Sequence, residues 1–280
     1  MIVKSYAKVN LGLKILGKSE NGMHLINSVA MPVSLFDDVI VNLNNSNKIK
    51  ISSDQKDVPI NQDNICYRAI KALQEKHPFQ KGVDVKIIKR IPMMAGLGGG
   101  SSNAAAVLVA LNELLDLKLT KKELADIGIK VGSDVPFFIY NKLAVIAEDG
   151  SKIIPIKTPL KLNLILVKPS GVVSTKEAYD AFDKSPTKSL QYRVREHLEN
   201  ANYAALIKDC FNDLEAGAKI LCPEINEVER VLEKEGFDYV GMSGSGSCVY
   251  ALSQDKDLLK ACEEKLKNKY PFVKIVHQIN

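Results

Sequence analysis

The stretch Ile91-Pro-Met-Met-Ala-Gly-Leu-Gly-Gly-Gly-Ser-Ser-Asn-Ala-Ala-Ala106 decides how the rest of the chain is read. Four glycines fall within five residues, two serines follow, and an apolar helical run begins. A residue without Cβ lets the backbone take positive φ and come close to a bulky ligand. The spacing predicts a helix over Asn103–Leu115 opened by Ser101, Ser102 and Asn103. The first N–H groups of such a helix have no intrahelical partner, and the helix dipole favours an anion there. Phosphate is the expected ligand. The P-loop pattern would need a lysine after Gly100, and the dinucleotide fingerprint needs Gly-x-Gly-x-x-Gly; neither is present. A flexible glycine turn is the plain alternative, but it rarely runs straight into a tightly patterned apolar helix.

Upstream of this loop the chain reads as strands. Residues 2–16 alternate, with Lys8 and Asn10 two apart and so on one face. Asn21-Gly22 signals a hairpin turn, followed by a strand-like Met23–Ala30. Segments 38–43 and 48–52 read as a strand pair, 63–75 as a helix capped by Asp63 or Asn64, and 83–89 as the strand that delivers the chain to the loop. Downstream, Thr120-Lys-Lys-Glu123 is a capping box opening a helix to about Lys130. Asp134 precedes Val-Pro-Phe-Phe, which carries a carboxylate into apolar surroundings where it must be paired or chemically used, unless it merely caps a turn. Pro155 and Pro159 mark a seam, predicting domains 1–157 and 158–280. A buried strand follows at 162–167. Helices are expected at 175–183, 190–200, 203–221, 224–235 and 258–268, with strands at 239–242, 248–252 and 273–278. A second loop, Gly241-Met-Ser-Gly-Ser-Gly-Ser247, lies between two of those strands and reads either as a phosphate contact or as a tight hairpin.

The 280 residues, 46% of them apolar and 25% charged, describe a soluble globular protein. The net charge of +5 is spread among acids on helix faces, which speaks against a nucleic-acid groove. The start of the chain does not read as a secretory signal, and no apolar run reaches bilayer length, so no membrane partner is expected. Cys66, Cys210, Cys222, Cys248 and Cys262 are scattered and odd in number, without metal spacing. A cytoplasmic protein is expected.

Five segments occur in the order seen in the GHMP kinases: Ala7–Leu13, Asn21–His24, Pro92–Ala105, Gly132–Phe138 and Met242–Gly246. The chain resembles that superfamily from about residue 5 to 252, most closely its branch acting on 4-diphosphocytidyl-2-C-methyl-D-erythritol. The resemblance implies an α+β fold of two domains with the active site in the cleft between them. It implies ATP and Mg²⁺ as cofactors and phosphorylation of a hydroxyl on that cytidine diphosphate-linked polyol, in non-mevalonate isoprenoid precursor synthesis. ATP would lie along Pro92, Met93, Met94, Ala95, Gly96, Leu97, Gly98, Gly99, Gly100, Ser101 and Ser102, with Asn64 and Lys89 at its adenosine part and Ser102 contacting magnesium. Asp134 would take the hydroxyl proton, Lys8 would neutralise charge and Asn10 would position the hydroxyl. His24 would read the cytosine and Tyr179 stack on it, with Thr175 and Gly244 also on the substrate side. Met23 stands where that branch usually carries tyrosine. This leaves open a kinase of the superfamily for another small alcohol, homoserine- or mevalonate-like, and a nucleotide-binding regulator without transfer. The oligomeric state is left open.

Overall fold

The computed structural model describes residues 1–186 and 192–279. β1 (Ile2–Lys18) and β2 (His24–Asn44) form a long antiparallel hairpin, with Lys8 opposite Pro32 and Asn10 opposite Ala30. The alternation in β1 sends Ala7, Val9 and Leu11 into the core at 0% exposure, which leaves Lys8 and Asn10 together on the other face. The two strand-like pieces expected at 23–30 and 38–43 are one strand. A bulge where Tyr6 faces Phe36 and Ala7 faces Val33 absorbs Ser34 and Leu35, so pairing continues past Pro32.

Around this hairpin the first sheet runs β3 (Ile49–Ser53), β4 (Gly82–Ile88), β2, β1 and β8 (Phe211–Asn212). Residues 26–30 of β2 also pair with β5 (Ala144–Glu148), which pairs with β6 (Lys152–Pro155); this hairpin is not signalled by the periodicity. The second sheet is ordered β11 (Phe272–His277), β7 (Asn163–Lys168), β10 (Val249–Leu252), β9 (Tyr239–Met242).

Helices α1 (Ile65–Lys76), α2 (Gly99–Leu114) and α4 (Val135–Tyr140) pack on the first sheet, α3 (Lys121–Gly128) packs on those three helices, and all four share a core drawn wholly from residues 1–157. In α2 the small Ala104, Ala105 and Ala106 are all buried, letting the helix lie close on the strands. Helices α5 (Thr175–Lys184), α8 (Glu215–Leu221), α9 (Glu224–Glu235) and α10 (Lys256–Leu266) share a core with the second sheet, into which Leu13 and Ile15 of β1 also project. A middle core joins the two sheets through Leu11, Met31, Leu164 and Tyr250.

The expected helix 203–221 is broken. It consists of α7 (Tyr203–Asp209), β8 and α8, because Phe211 and Asn212 pair in parallel with Gly12 and Leu13 of β1. That tertiary pairing overrides helix propensity. Within the expected helix 190–200 lies α6 (Val194–Glu199), and residues 190 and 191 are outside the described residues.

Candidate active site

A cavity of about 540 Å³ opens between elements of the two halves, floored by β1 and the glycine loop and walled by residues of α5 and the second loop. Its centre is a charged pair. Lys8 Nζ lies 3.8 Å from Asp134 Oδ2, the lysine side chain 5% exposed and the carboxylate 32%. Asp134 occupies the N-cap position of α4 but makes no side-chain capping bond, so its carboxylate is left to the cleft. Lys8 Nζ donates to Asn10 Oδ1, Asn10 Nδ2 donates to Ser28 Oγ at 2.8 Å, and Ser28 Oγ donates to the Gly12 carbonyl at 2.8 Å. The Asn10 amide is thereby oriented by a bonded chain, and Tyr250 Oη holds its backbone carbonyl at 3.0 Å. Lys8 and Asn10 are 4% and 3% exposed, so the pair is not a surface stripe.

The glycine loop passes beside this pair. Leu97 O accepts from Lys8 N at 3.0 Å. Gly96 and Gly98 both have φ of +69°, left-handed values that a side chain would strain. A Cβ on Gly96 would strike the carbonyl oxygen of Ser243, and one on Gly98 would meet the Phe138 ring at 2.7 Å. The two glycine-serine loops thus pack backbone on backbone. Ser243 Oγ donates to Gly96 O at 3.1 Å, and Asn212 Nδ2 fixes the second loop by donating to Met242 O and Gly244 O at 2.9 and 2.7 Å.

The helix expected from Asn103 begins four residues earlier, at Gly99, with Gly98 as its cap. Glycine is a poor helix former, but the left-handed Gly98 and close packing of Gly99 on Ile91 allow the early start. Ser102 N closes the first turn on Gly98 O at 2.9 Å, which leaves Gly99, Gly100 and Ser101 as the N–H groups without an intrahelical acceptor. Pro92 through Ser101 all line the cavity. Ser102 lies behind that wall: it is 3% exposed, and its Oγ accepts from Ser5 Oγ at 2.8 Å.

Asn64 and Lys89 line the same cavity. Asn64 caps α1, its Oδ1 accepting from Cys66 N at 2.8 Å. Lys89 Nζ donates to the fully buried Asp37. Nothing in the sequence patterns singles out Asp37; an acid pair, Asp37-Asp38, inside an apolar strand is the signal that was available.

At the far end, Thr175, Tyr179 and Gly244 line the cavity, and Thr175 Oγ1 sits 3.1 Å from Ser245 Oγ. Burial, with the charge of Asp134 adding, pushes the Tyr179 phenol up to about 12, so it stays neutral in ordinary buffers. His24 stacks on Tyr179 with ring centroids 4.4 Å apart and planes at 30°. His24 Nε2 lies 2.9 Å from Asp183 Oδ1, whose other oxygen accepts from Lys18 at 2.7 Å. The His24 and Lys18 hydrogen bonds hold the Asp183 carboxyl below its usual range. Lys18 and Asp183, which hold His24 in place, are not singled out by any sequence pattern. Met23 is 53% exposed and does not line the cavity. His197 is half-buried away from the cavity, its Nε2 2.8 Å from Asp209 Oδ2.

A buried ammonium paired with a carboxylate open to the cleft, beside a glycine-cradled helix N-terminus, is suited to phosphoryl transfer, which needs alignment and charge stabilisation more than covalent chemistry. The class follows from comparison: residues 64–142 match the family description "GHMP kinases N terminal domain" and residues 194–271 "GHMP kinases C terminal". A homoserine kinase from Cytophaga hutchinsonii shares the fold (TM-score 0.77, 17% identity, covering 99% of this chain and 93% of that one). A solved 4-(cytidine 5'-diphospho)-2C-methyl-D-erythritol kinase superposes with a TM-score of 0.82 at 29% identity, covering both chains in full. The 4-diphosphocytidyl-2-C-methyl-D-erythritol kinase of Clostridioides difficile (strain 630) is 37% identical over 279 residues, 98% of this chain and 94% of that protein. The chain belongs to the GHMP kinases and, within them, to the 4-diphosphocytidyl-2-C-methyl-D-erythritol kinase family.

Proposed function

We propose that the protein transfers the γ-phosphoryl group of ATP to a hydroxyl of 4-diphosphocytidyl-2-C-methyl-D-erythritol, a step of non-mevalonate isoprenoid precursor synthesis. The observation that carries the reading is the Lys8–Asp134 pair beside the free N–H groups of α2, in a chain 37% identical to a kinase of that name. Asp134 accepts the proton of the substrate hydroxyl as its oxygen bonds to the γ-phosphorus. The bond from that phosphorus to the β–γ bridging oxygen breaks, and ADP leaves. Lys8 offsets negative charge at the transferring group and favours the ionised form of Asp134. Asn10, oriented through Ser28, aligns the hydroxyl. The glycine loop and the first turn of α2 hold the phosphates, Asn64 and Lys89 flank the adenosine, and Thr175, Tyr179, Gly244 and His24 take the cytidine-linked substrate.

Among the described residues no group of three or more His, Cys, Asp or Glu could cage a metal. Magnesium fits here in the manner usual for nucleotide enzymes, held by phosphates, waters and one or two protein oxygens. Asp134 and Ser101 are two of the cleft residues whose oxygens would hold it, and Ser102 would have to turn from Ser5 to join them. When bound, the ion would neutralise phosphate charge.

Met23 is exposed and outside the cavity lining, which supports keeping the diphosphocytidyl substrate despite the departure from tyrosine. Two units, 1–157 and 158–280, fit the first core, which contains no residue beyond 157. No helix among the described residues is long and apolar enough to cross a membrane. All five cysteines are free and buried, which fits a reducing cytoplasm.

The test is a coupled ADP-release assay with Mg-ATP and the diphosphocytidyl substrate, run beside homoserine and mevalonate. Turnover on the cytidylyl compound alone supports the proposal. Turnover only on another alcohol would replace the substrate, and nucleotide binding without turnover on any alcohol would favour a regulator.

A further inference from the structure

Asp37 is buried at 0% exposure in the middle of β2, and both of its oxygens are committed. Oδ1 accepts from Arg90 N at 2.7 Å and Ile91 N at 2.8 Å, on the stem that leads into the glycine loop. Oδ2 accepts from Lys89 Nζ and, at 2.9 Å, from Asn103 Nδ2, on the stem that leaves it. Asn103 Nδ2 also reaches Ser5 Oγ at 2.8 Å, and Ser5 Oγ donates to Ser102 Oγ at 2.8 Å. One carboxylate therefore ties together the two ends of the loop that runs from Pro92 to Gly98. Its neighbour Asp38 faces the other side of the strand and pairs with the exposed Arg90 guanidinium at 2.6 Å, so the two acids of the pair have separate tasks.

The position of Lys89 makes this arrangement more than a loop clasp. Its Nζ would stand 3.3 Å from a Cβ placed on Gly99, the first residue of α2, and the side chain is 7% exposed. A cation at a helix N-terminus opposes the helix dipole, and a buried unpaired charge is costly. Asp37 removes both penalties while leaving the ammonium on the cavity wall.

We infer that Asp37 is a positioning residue of the nucleotide site: its carboxylate holds the Lys89 ammonium against the first turn of α2 and clasps both stems of the glycine loop, setting the charge and shape offered to the nucleotide. The inference rests on the reading of the cleft as an ATP site. Asp37→Asn isolates the charge, because the retained Oδ1 can still accept from Arg90 N and Ile91 N while the new NH₂ group faces Lys89 Nζ and Asn103 Nδ2, donors against donors.

The experiment is calorimetric titration of MgADP and a non-hydrolysable ATP analogue, with KM values for ATP and for the alcohol measured alongside. In Asp37→Asn the nucleotide Kd and the ATP KM should rise about tenfold, with the alcohol KM changing less than about twofold. In a Lys89→Met background the same substitution should add less than about threefold, because its effect runs through the absent ammonium. The exchange Asp37→Asn with Asn103→Asp returns a carboxylate beside Lys89, whose Nζ is 3.5 Å from Asn103 Oδ1, and should recover much of the affinity. Equal rises in both KM values, or a full additional loss in the Lys89→Met background, would reduce Asp37 to a residue of the fold. Failure of both the single and the exchanged variant to fold would do the same. Wild-type protein that binds no nucleotide would instead remove the ATP reading of the cleft, which separates the two failures.

Discussion

At the loop end of the cleft glycine backbone forms much of the wall, with Gly96 against Ser243, Gly98 against Phe138 and three helix N–H groups that lack an intrahelical acceptor. At the other end the surface is side chain: Thr175 and Tyr179 line the cavity, and His24, outside that lining, stacks on Tyr179 and is tied to a partly exposed Asp183 that also holds Lys18. The first wall leaves no room for an added side chain, because Gly96 abuts the Ser243 backbone and Gly98 abuts the Phe138 ring. The second is held by rings and ion pairs from separate elements, the β1–β2 hairpin and α5. A backbone anion cradle with an end built from side chains suits a kinase of this family, in which the phosphates need alignment.

The largest expected effect lies between the two ends. Asp134→Asn should lower kcat by about 10³-fold, equivalent to about 4 kcal/mol, while ADP titrations change little. A near-normal rate would show that neither wall delivers the hydroxyl to Asp134. Gly96→Ala should break the glycine wall. The added methyl collides with the Ser243 carbonyl at a left-handed φ, so denaturant unfolding should show a loss of about 1–3 kcal/mol together with weaker ATP binding. Unchanged stability would mean that the two loops leave room for a methyl group between them.

His24→Ala tests the side-chain end. The KM for the diphosphocytidyl substrate should rise about tenfold, about 1.4 kcal/mol, with the ATP KM and thermal midpoint nearly constant. Equal shifts in both KM values would take His24 out of the substrate site.

The smallest effect is one of pH, below the second loop. Burial, with the charge of Glu215 adding and Lys219 opposing, pushes the Glu229 carboxyl up to about 7, and its Oε1 lacks a hydrogen-bond partner. A carboxyl whose folded pKa is raised binds more protons folded than unfolded, so its contribution to stability is present at low pH and is lost as pH rises through about 4.5 to 7. Glu229→Gln should flatten that part of the stability profile and raise the thermal midpoint by a few degrees at pH 8 relative to wild type. A profile of unchanged slope would remove Glu229 from the titration.

Short-range spacing made much of the site legible. Lys8 and Asn10 are two apart on a strand, and Asp134 stands before an apolar Pro-Phe-Phe turn; the structure brings the three together with the glycine loop around one cavity. The true start of α2 was not legible, since three glycines carry no helix preference and only the packing of Gly99 on Ile91 makes a first turn there. Nor was the continuity of β2, which depends on a bulge that no local pattern announces.

What the sequence determined by itself was the local chemistry: the loop able to take left-handed φ, the paired cation and amide, the lone carboxylate, and the family to which these belong. Tertiary structure alone decided which groups meet. Asp37 joins residues 52, 54 and 66 positions away in the chain, and Ser243 closes on Gly96 across 147. Such pairings arise from sheet register and core packing, which sum over the whole chain and leave no mark on the residues taken a few at a time.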